Sequence, residues 1–257
     1  MQLIRELYNY RELLKTNIKK DVRGKYKGAW LGIVWSFLNP LLQLLVYSII
    51  FPHILRVQVE NFTMFLVVAL IPWTFFAATI AQGSFAVVSN GNLLKKVYFP
   101  REIIPISLVT SAAINFLISL IIVFGFLIFG GVGVTAYALY LPLIFIIQYI
   151  LMLGIIFITS SITVYMRDLE HIITVGIMLM FYGTPILYSF DALPDGVKSI
   201  LIWNPMAHIV PAYRDILFYQ QAPDFNSLLI VFGAAVVTLF AGVKIFGKLQ
   251  RGFAEEL

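Results

Sequence analysis

No Asp, Glu, Lys or Arg occurs among the 64 residues of Ile103–Met166, IIPISLVTSAAINFLISLIIVFGFLIFGGVGVTAYALYLPLIFIIQYILMLGIIFITSSITVYM. Because one helical crossing of a bilayer takes about 20 apolar residues, this run is too long for a single span. Three glycines interrupt it in FGGVGVTAY, Phe129–Tyr137, and the tyrosine suits a membrane interface. The run therefore predicts two membrane-spanning helices joined by a glycine-rich turn.

The rest of the chain has the same apolar character. Further runs without charged residues are Ala29–Leu55, Asn61–Leu94, Ile172–Phe190 and Phe225–Val243. Charged residues make up 12% of the chain, about half of the share in an ordinary soluble domain. The runs do not alternate like the strands of a membrane β-barrel, so we predict an all-α polytopic membrane protein with one domain, residues 1–257. Its six transmembrane helices are expected at about 30–52, 62–86, 104–129, 138–164, 171–189 and 226–246.

Positive charge is distributed unevenly between the two sides of such a bundle. Fifteen of the 18 Lys and Arg residues lie in the N-terminal segment, the loops after the second and fourth spans, and the C-terminal tail. Arg56, Lys198 and Arg214 lie on the other side. Because cytoplasmic loops are enriched in Lys and Arg, we expect a multi-pass protein of the bacterial cytoplasmic membrane with both termini in the cytoplasm.

The N-terminal segment combines positive charge with a helical pattern. Apolar residues recur at intervals of three and four at Leu3, Leu7, Tyr10, Leu14, Ile18 and Val22. This pattern predicts an amphipathic interfacial helix, residues 1–28, that lies in the cytoplasmic leaflet. A basic arm that only sets the topology is the alternative. Gly24, Gly28 and Gly32 follow at a spacing typical of close helix packing, and equally of a flexible elbow.

The spans lack the residues that catalysis, metal binding or ion coupling would need. Ion-coupled transporters usually carry charged groups at membrane depth, and these runs have none. The chain has no cysteine, and His53, His171 and His208 lack the spacing of a metal site. GVKIFGKL, Gly242–Leu249, resembles a phosphate-binding loop but has leucine at the Mg²⁺-binding position. We expect no catalytic residue, cofactor, metal or nucleic-acid partner, and either passive transport or a partner that supplies energy.

A short charged segment, NLLKKVYFPREIIP, stands at Asn92–Pro105 between two of the apolar runs. Its basic, acidic and aromatic residues predict a short amphipathic helix within residues 90–102, ended by Pro100. Such a helix would press an aromatic face into another protein. An ordinary interfacial loop explains the composition equally well.

Segment 191–224, before the last span, is too apolar for an ordinary external loop. In it, Asn204 followed by Pro205 is typical of a helix N-cap and its first turn. We predict two short re-entrant helices, at about 195–203 and 205–219, that dip into the outer leaflet. A pair of helices that only anchors the chain at the interface is the alternative.

Four stretches together resemble the permeases of ABC-2 type exporters, in the branch that exports polysaccharides and teichoic acids. One is the charged segment NLLKKVYFPREIIP. The others are YKGAWLGIVWSFLNPLLQLLVYSIIF (Tyr26–Phe51), YMRDLEHI (Tyr165–Ile172) and NPMAHIVPAYRDILFYQQAPD (Asn204–Asp224). They occur in the order of that family, and the resemblance covers nearly the whole chain.

The resemblance implies a homodimer that works with two copies of a separate cytoplasmic ATPase, which carries the ATP and Mg²⁺. The charged segment would be a coupling helix held by the ATPase through Lys95, Lys96, Tyr98, Phe99, Arg101 and Glu102. A smaller second contact would comprise Arg167, Asp168, Glu170 and His171. Segment 191–224 would gate the external mouth, with candidate residues Trp203, Asn204, Pro205, Tyr213, Arg214 and Asp215.

Aromatic rings in the first, second and fifth spans are candidates for a sugar path, because sugar rings stack on aromatic faces without needing charge. These candidates are Trp35, Phe37, Trp73, Phe181, Tyr182 and Tyr188. Packing and lipid contact explain any single ring as well. The phosphates of a lipid carrier would meet a basic rim at Arg23, Lys25 and Lys27.

Together, the residues and the resemblance predict the membrane subunit of an ABC exporter. Its substrate would be a lipid-linked polysaccharide, such as an O-antigen, or a teichoic-acid polymer. The alternatives are an ABC-2 exporter of drugs or small lipids, an intramembrane transferase acting on lipid-linked sugars, and a non-catalytic membrane scaffold.

Overall fold

The computed structural model describes residues 2–24, 35–54, 61–190 and 193–257, and every regular element in these ranges is helical. The helices are α1 (Gln2–Asn9), α2 (Arg11–Gly24), α3 (Trp35–Ile54), α4 (Phe62–Ser84), α5 (Ala86–Ser89), α6 (Gly91–Lys96), α7 (Ile103–Phe129), α8 (Leu141–Tyr165), α9 (Leu169–Tyr182), α10 (Asp195–Leu201), α11 (Met206–Arg214), α12 (Phe225–Leu249) and α13 (Phe253–Glu256). Short 3₁₀ or π turns adjoin α8, α11 and α12 at Ala136–Tyr140, Asp215–Tyr219 and Gln250–Gly252. The all-helical prediction is confirmed for this part of the chain.

Four helical stretches of the described residues are long and apolar enough to cross a membrane. They are Phe62–Ser84, Ile103–Phe129, Ala136–Tyr165 and Phe225–Glu256. Each coincides with a predicted span, although the last continues beyond the predicted end at 246. The chain is thus a multi-pass membrane protein.

The two other predicted spans correspond to shorter apolar helices. These are Pro40–Phe51, within α3, and Leu169–Tyr182, which is α9. Helix α9 ends well before the predicted limit at 189, because a glycine and a proline follow closely. The predicted start of the first span, residues 30–34, lies outside the described residues. The count of six spans therefore stays a prediction.

The break between the third and fourth predicted spans is confirmed. Helix α7 ends at Phe129, and helical structure resumes at Ala136. Between them, Gly131 and Gly133 have φ angles of 81° and 78°, which side chains of L-residues rarely allow. The glycines of this stretch therefore let the chain turn back into the bundle.

Helix α4 lies at the centre of the bundle and packs against α3, α7, α8, α9 and α11. Its residues Phe65, Val68 and Leu70 are fully buried. A helix that is apolar on all sides is expected in such a place. From α8, the buried Gln148 donates a hydrogen bond of 2.9 Å to the carbonyl oxygen of Pro72, tying the two helices together.

Helices α8 and α12 approach each other most closely at two glycines. A Cβ atom added to Gly154 would lie 2.6 Å from the backbone nitrogen of Leu239, and one added to Gly242 would lie 2.6 Å from the carbonyl oxygen of Gly154. Small residues allow such backbone contact between membrane helices. Gly242 opens the stretch that resembles a phosphate-binding loop, and here that stretch is helix.

The N-terminal segment forms two helices instead of one, α1 and α2, separated only by Tyr10. Leu7, Tyr10 and Leu14 from its apolar positions pack against Phe99 and Ile103 of this chain. Much of the face expected to meet lipid therefore contacts protein. An amphipathic helix lying in the membrane interface stays a prediction.

Candidate functional site

The charged segment after α5 is only partly helical. Helix α6 ends at Lys96, and Val97 is extended, with φ and ψ of −130° and 132°. The prediction that Pro100 ends the helix is wrong in position, since the helix stops earlier. A residue that precedes a proline disfavours the helical conformation, so Phe99 fits an extended approach to Pro100.

Adjacent aromatic residues of this segment point in opposite directions. Tyr98 is 94% exposed, whereas Phe99 is 5% exposed and packs against Leu7 and Leu94. Lys95 and Lys96 are exposed together with Tyr98. The side chains of this set that remain open to a partner are therefore the tyrosine and the two lysines.

Arg101 and Glu102 bind the C-terminal tail of the same chain. An Arg101 guanidinium nitrogen donates to the carbonyl oxygen of Gln250. Gln250 Nε2 in turn donates to Glu102 Oε1 at 2.8 Å. The Arg101 guanidinium also lies 5.7 Å from the ring centroid of Phe253. These two charges thus hold the end of α12 against the charged segment.

The second predicted contact lies beside this tail. Tyr165, the last residue of α8, donates its hydroxyl to the carbonyl oxygen of Leu249 at 2.8 Å. Arg167, Asp168 and His171 after it are exposed, and Glu170 is half-buried. We call the end of the bundle formed by α1, α2, residues 91–102, 166–171 and 250–257 the basic end.

Segment 191–224 is held to the end of α9 by two polar side chains. Asn204 Nδ2 donates to Gly183 O and to Thr184 Oγ1, both at 2.9 Å, and its Oδ1 accepts from Met206 N at 3.0 Å. The predicted cap at Asn204 is thus present. The two predicted short helices correspond to α10 and to α11 with its π turn. Residues 191 and 192 lie outside the described residues.

Arg214 is the second of these side chains and is 2% exposed. Its guanidinium donates to the carbonyl oxygens of Pro185 and Ile186 at 2.9 Å and of Tyr188 at 3.3 Å. It also lies 3.5 Å from the ring centroid of Phe65 in α4. The guanidinium therefore joins α11, the irregular segment after α9 and the central helix.

The other gate candidates divide between core and surface. Tyr213 is fully buried, whereas Trp203 is 87% exposed. Pro205 directly precedes α11, and Asp215 Oδ1 accepts a hydrogen bond of 2.8 Å from Gln221 Nε2. Trp203 therefore offers the largest free aromatic surface of this set.

The predicted sugar-path aromatics do not share one surface of the single chain. Trp73 is buried and packs against Phe181, with ring centroids 5.7 Å apart. Tyr182 is 68% exposed, and Tyr188 donates its hydroxyl to the carbonyl oxygen of Tyr182 at 2.8 Å. The structure does not describe the side chains of Trp35, Phe37 and Arg23. Lys25 and Lys27 lie wholly outside the described residues.

The chain matches the model of a protein family described as ABC-2 type transporter over residues 12–218. It is 38% identical over 248 residues to the O-antigen export system permease protein RfbA of Klebsiella pneumoniae, covering 96% of this chain and 95% of that protein. It is 33% identical over 259 residues to the protein of the same name from Myxococcus xanthus, covering 100% of both.

A more distant relative is the polysialic acid transport protein KpsM of Escherichia coli, 23% identical over 234 residues, 88% of this chain and 89% of that protein. The family match spans most of the helical bundle, including α2, the charged segment and α11. Because that match and the two nearly full-length relatives above 30% identity agree, the chain belongs to the ABC-2 type transporter family.

Proposed function

We propose that this chain is the permease subunit of an ATP-driven exporter that moves a lipid-linked polysaccharide or teichoic-acid polymer across the bacterial cytoplasmic membrane. The observation that carries the proposal is the basic end, where an exposed tyrosine and two exposed lysines stand on a segment fixed by the C-terminal tail. The names of the relatives, O-antigen export permease and polysialic acid transport protein, support a glycan as the substrate.

The basic end faces the cytoplasm in this proposal and docks one copy of an ABC ATPase that holds ATP and Mg²⁺, so that a homodimer carries two copies. Both termini are then cytoplasmic, and α3 and α9 complete six spans. Leu45 and Ile49 of α3, and Val175 and Leu179 of α9, are more than half exposed in the single chain. A second copy covering these faces would build the polymer path between the subunits.

The remaining candidates take roles that follow from this orientation. The basic rim at Arg23, Lys25 and Lys27 would receive the phosphates of the lipid carrier. Segment 191–224 would close the path at the opposite end. Trp203 and Tyr182, both exposed, are then the rings best placed to meet sugar.

Tyr98 and Phe99 form a matched pair for testing ATPase docking. We expect Tyr98→Ala to weaken ATPase binding by about 30-fold, since an interface tyrosine contributes about 2 kcal/mol or more. Phe99→Ala should instead lower the unfolding temperature, because a buried aromatic side chain contributes about 3–5 kcal/mol within the chain. Binding in lipid discs and thermal unfolding measure the two effects. An unchanged Kd for Tyr98→Ala would show that the segment is not the docking site.

Depletion of the protein in its host tests the substrate. We expect lipid-linked polymer to accumulate on the cytoplasmic side and surface glycan to fall, because the polymer has no other path through the bilayer. Immunodetection of glycan in intact and in permeabilised cells separates the two pools. Normal surface glycan in a strain without a second exporter would favour a drug or small-lipid exporter. Lipid-linked sugar that fails to form at all would favour a transferase.

A further inference from the structure

A polar groove opens at the basic end between α2, α4, α7 and the start of α9. Its volume is about 750 Å³, within the range of sites that hold small molecules. It begins at Asn17 and Lys20 of α2 and extends along α7 as far as Asn115. With a rise of 1.5 Å per residue, Asn115 lies about 18 Å along α7 from its first residue, so the groove reaches deep into the membrane.

Three side-chain amides line this groove without a hydrogen-bond partner among the described residues: Asn17 on α2, Gln82 on α4 and Asn115 on α7. In contrast, the groove hydroxyls of Ser107 and Ser111 donate to carbonyl oxygens of their own helix at 2.9 Å. Asn17 and Asn115 are half-buried and Gln82 is exposed, so these amides are open to the groove. They can bond water or the polar groups of a ligand.

Acidic side chains outnumber basic ones in the described lining of the groove. Among the residues that the structure describes there, Lys20 is basic, and Asp21 and Glu170 are acidic. Burial raises the pKa of the Asp21 carboxyl, and the charge of Lys20 opposes this shift. Amides and carboxylates bind hydroxyl groups well, since an amide both donates and accepts. Phe85 adds an aromatic surface to the same wall.

We propose that this groove binds uncharged, hydroxyl-rich sugar units of the lipid-linked substrate inside one subunit, before they enter the path between the copies. The inference rests on the proposed function for the origin of the sugar. The binding chemistry is independent of it, because the amides, the acidic mouth and the aromatic wall select a neutral polyol over a phosphate.

Cysteine labelling tests the groove directly, because the chain has no cysteine of its own. An Ala112→Cys variant of the full chain in polymer-bounded lipid discs is treated with a methanethiosulfonate reagent. The probes are octyl glucoside, octylglycerol and octyl phosphate, all below their micelle concentrations. They share one tail and differ only in a sugar, a glycerol or a phosphate headgroup.

We expect octyl glucoside at ten times its Kd to slow labelling about tenfold by mass action. The two other probes should leave the rate unchanged. Asn115→Leu in the same background should abolish the protection, whereas Leu117→Phe, on the exposed face of α7, should preserve it. The unfolding temperature of each substituted protein reports whether it is folded.

Several results would overturn the proposal. Equal protection by all three probes would mean that only the tail is trapped, and equal protection by octylglycerol would point to ordinary phospholipid. No labelling before a probe is added would mean that protein fills the groove. The assay needs neither ATPase nor transport, so its outcome can be separated from that of the depletion experiment. Normal surface glycan after depletion, with intact sugar protection here, would contradict the proposed function and leave the groove assigned.

Discussion

Gly154→Leu is expected to abolish the folded protein. The first side-chain carbon would lie 2.6 Å from Leu239 N and 2.8 Å from Leu239 Cα, and neither backbone atom can rotate away. Overpacking of a well-packed core costs about 1–3 kcal/mol even when side chains can shift, and here α8 and α12 must separate. Fluorescence-detected size-exclusion chromatography should show aggregate in place of a single peak.

Gly233 and Gly247 of α12 provide the matched controls. A Cβ atom added to either meets no atom within 4 Å. We expect Gly233→Ala and Gly247→Ala to be neutral or to raise stability by about 0.5–1 kcal/mol, since alanine favours the helix over glycine. A Gly154→Leu variant that unfolds at the temperature of these controls would contradict the close approach of α8 and α12.

Arg214→Met should free the segment after α9. Methionine fills similar space but cannot donate, so the carbonyl oxygens of Pro185, Ile186 and Tyr188 lose their donor. Hydrogen bonds from a charged group contribute about 1.5–3 kcal/mol each. Loss of one such bond is enough for about a tenfold rise in local opening. Hydrogen exchange in peptides covering 183–189 should accelerate by at least that factor.

Two further variants make this result specific to the guanidinium. Arg214→Lys should give an intermediate rate, because an ammonium cannot reach carbonyls as a planar fork does. Arg167→Met, at an exposed arginine, should leave exchange unchanged. Unaltered exchange in 183–189 for Arg214→Met would show that the segment holds its conformation without the arginine.

The apolar helices were predictable because their cause is local. A span needs a run of about 20 residues without charge. The glycines of Phe129–Tyr137 divide one such run into two helices, and they stand in the sequence at the turn itself. The pair Asn204–Pro205 likewise acts on the helix that follows directly. The end of α9 was overestimated, although Gly183 and Pro185 gave a readable signal for an earlier stop.

The contacts of the basic end were not predictable in the same way. The aromatic side chain of Phe99 indicates that it packs against an apolar surface. The residues next to it in the sequence do not indicate whether that surface belongs to another protein or to α1 of the same chain. Arg101 and Glu102 read as surface charges because their partner, Gln250, lies 148 or more residues away. Spacing cannot reveal such a pair, nor which glycine of α12 touches α8.

The bond between the charged segment and Gln250 has a mechanical consequence. In the proposed docking, a push from the ATPase on Tyr98 would reach α7 directly and α12 through the hydrogen bonds of Arg101 and Glu102. The backbones of α8 and α12 are in close contact at Gly154 and Gly242. A force on α12 would therefore reach α8 as well, so that three helices would respond together. We therefore expect α7, α8 and α12 to move as one rigid lever in each transport cycle. Helices α3 and α9 would then slide past α3 and α9 of the second copy in the proposed homodimer.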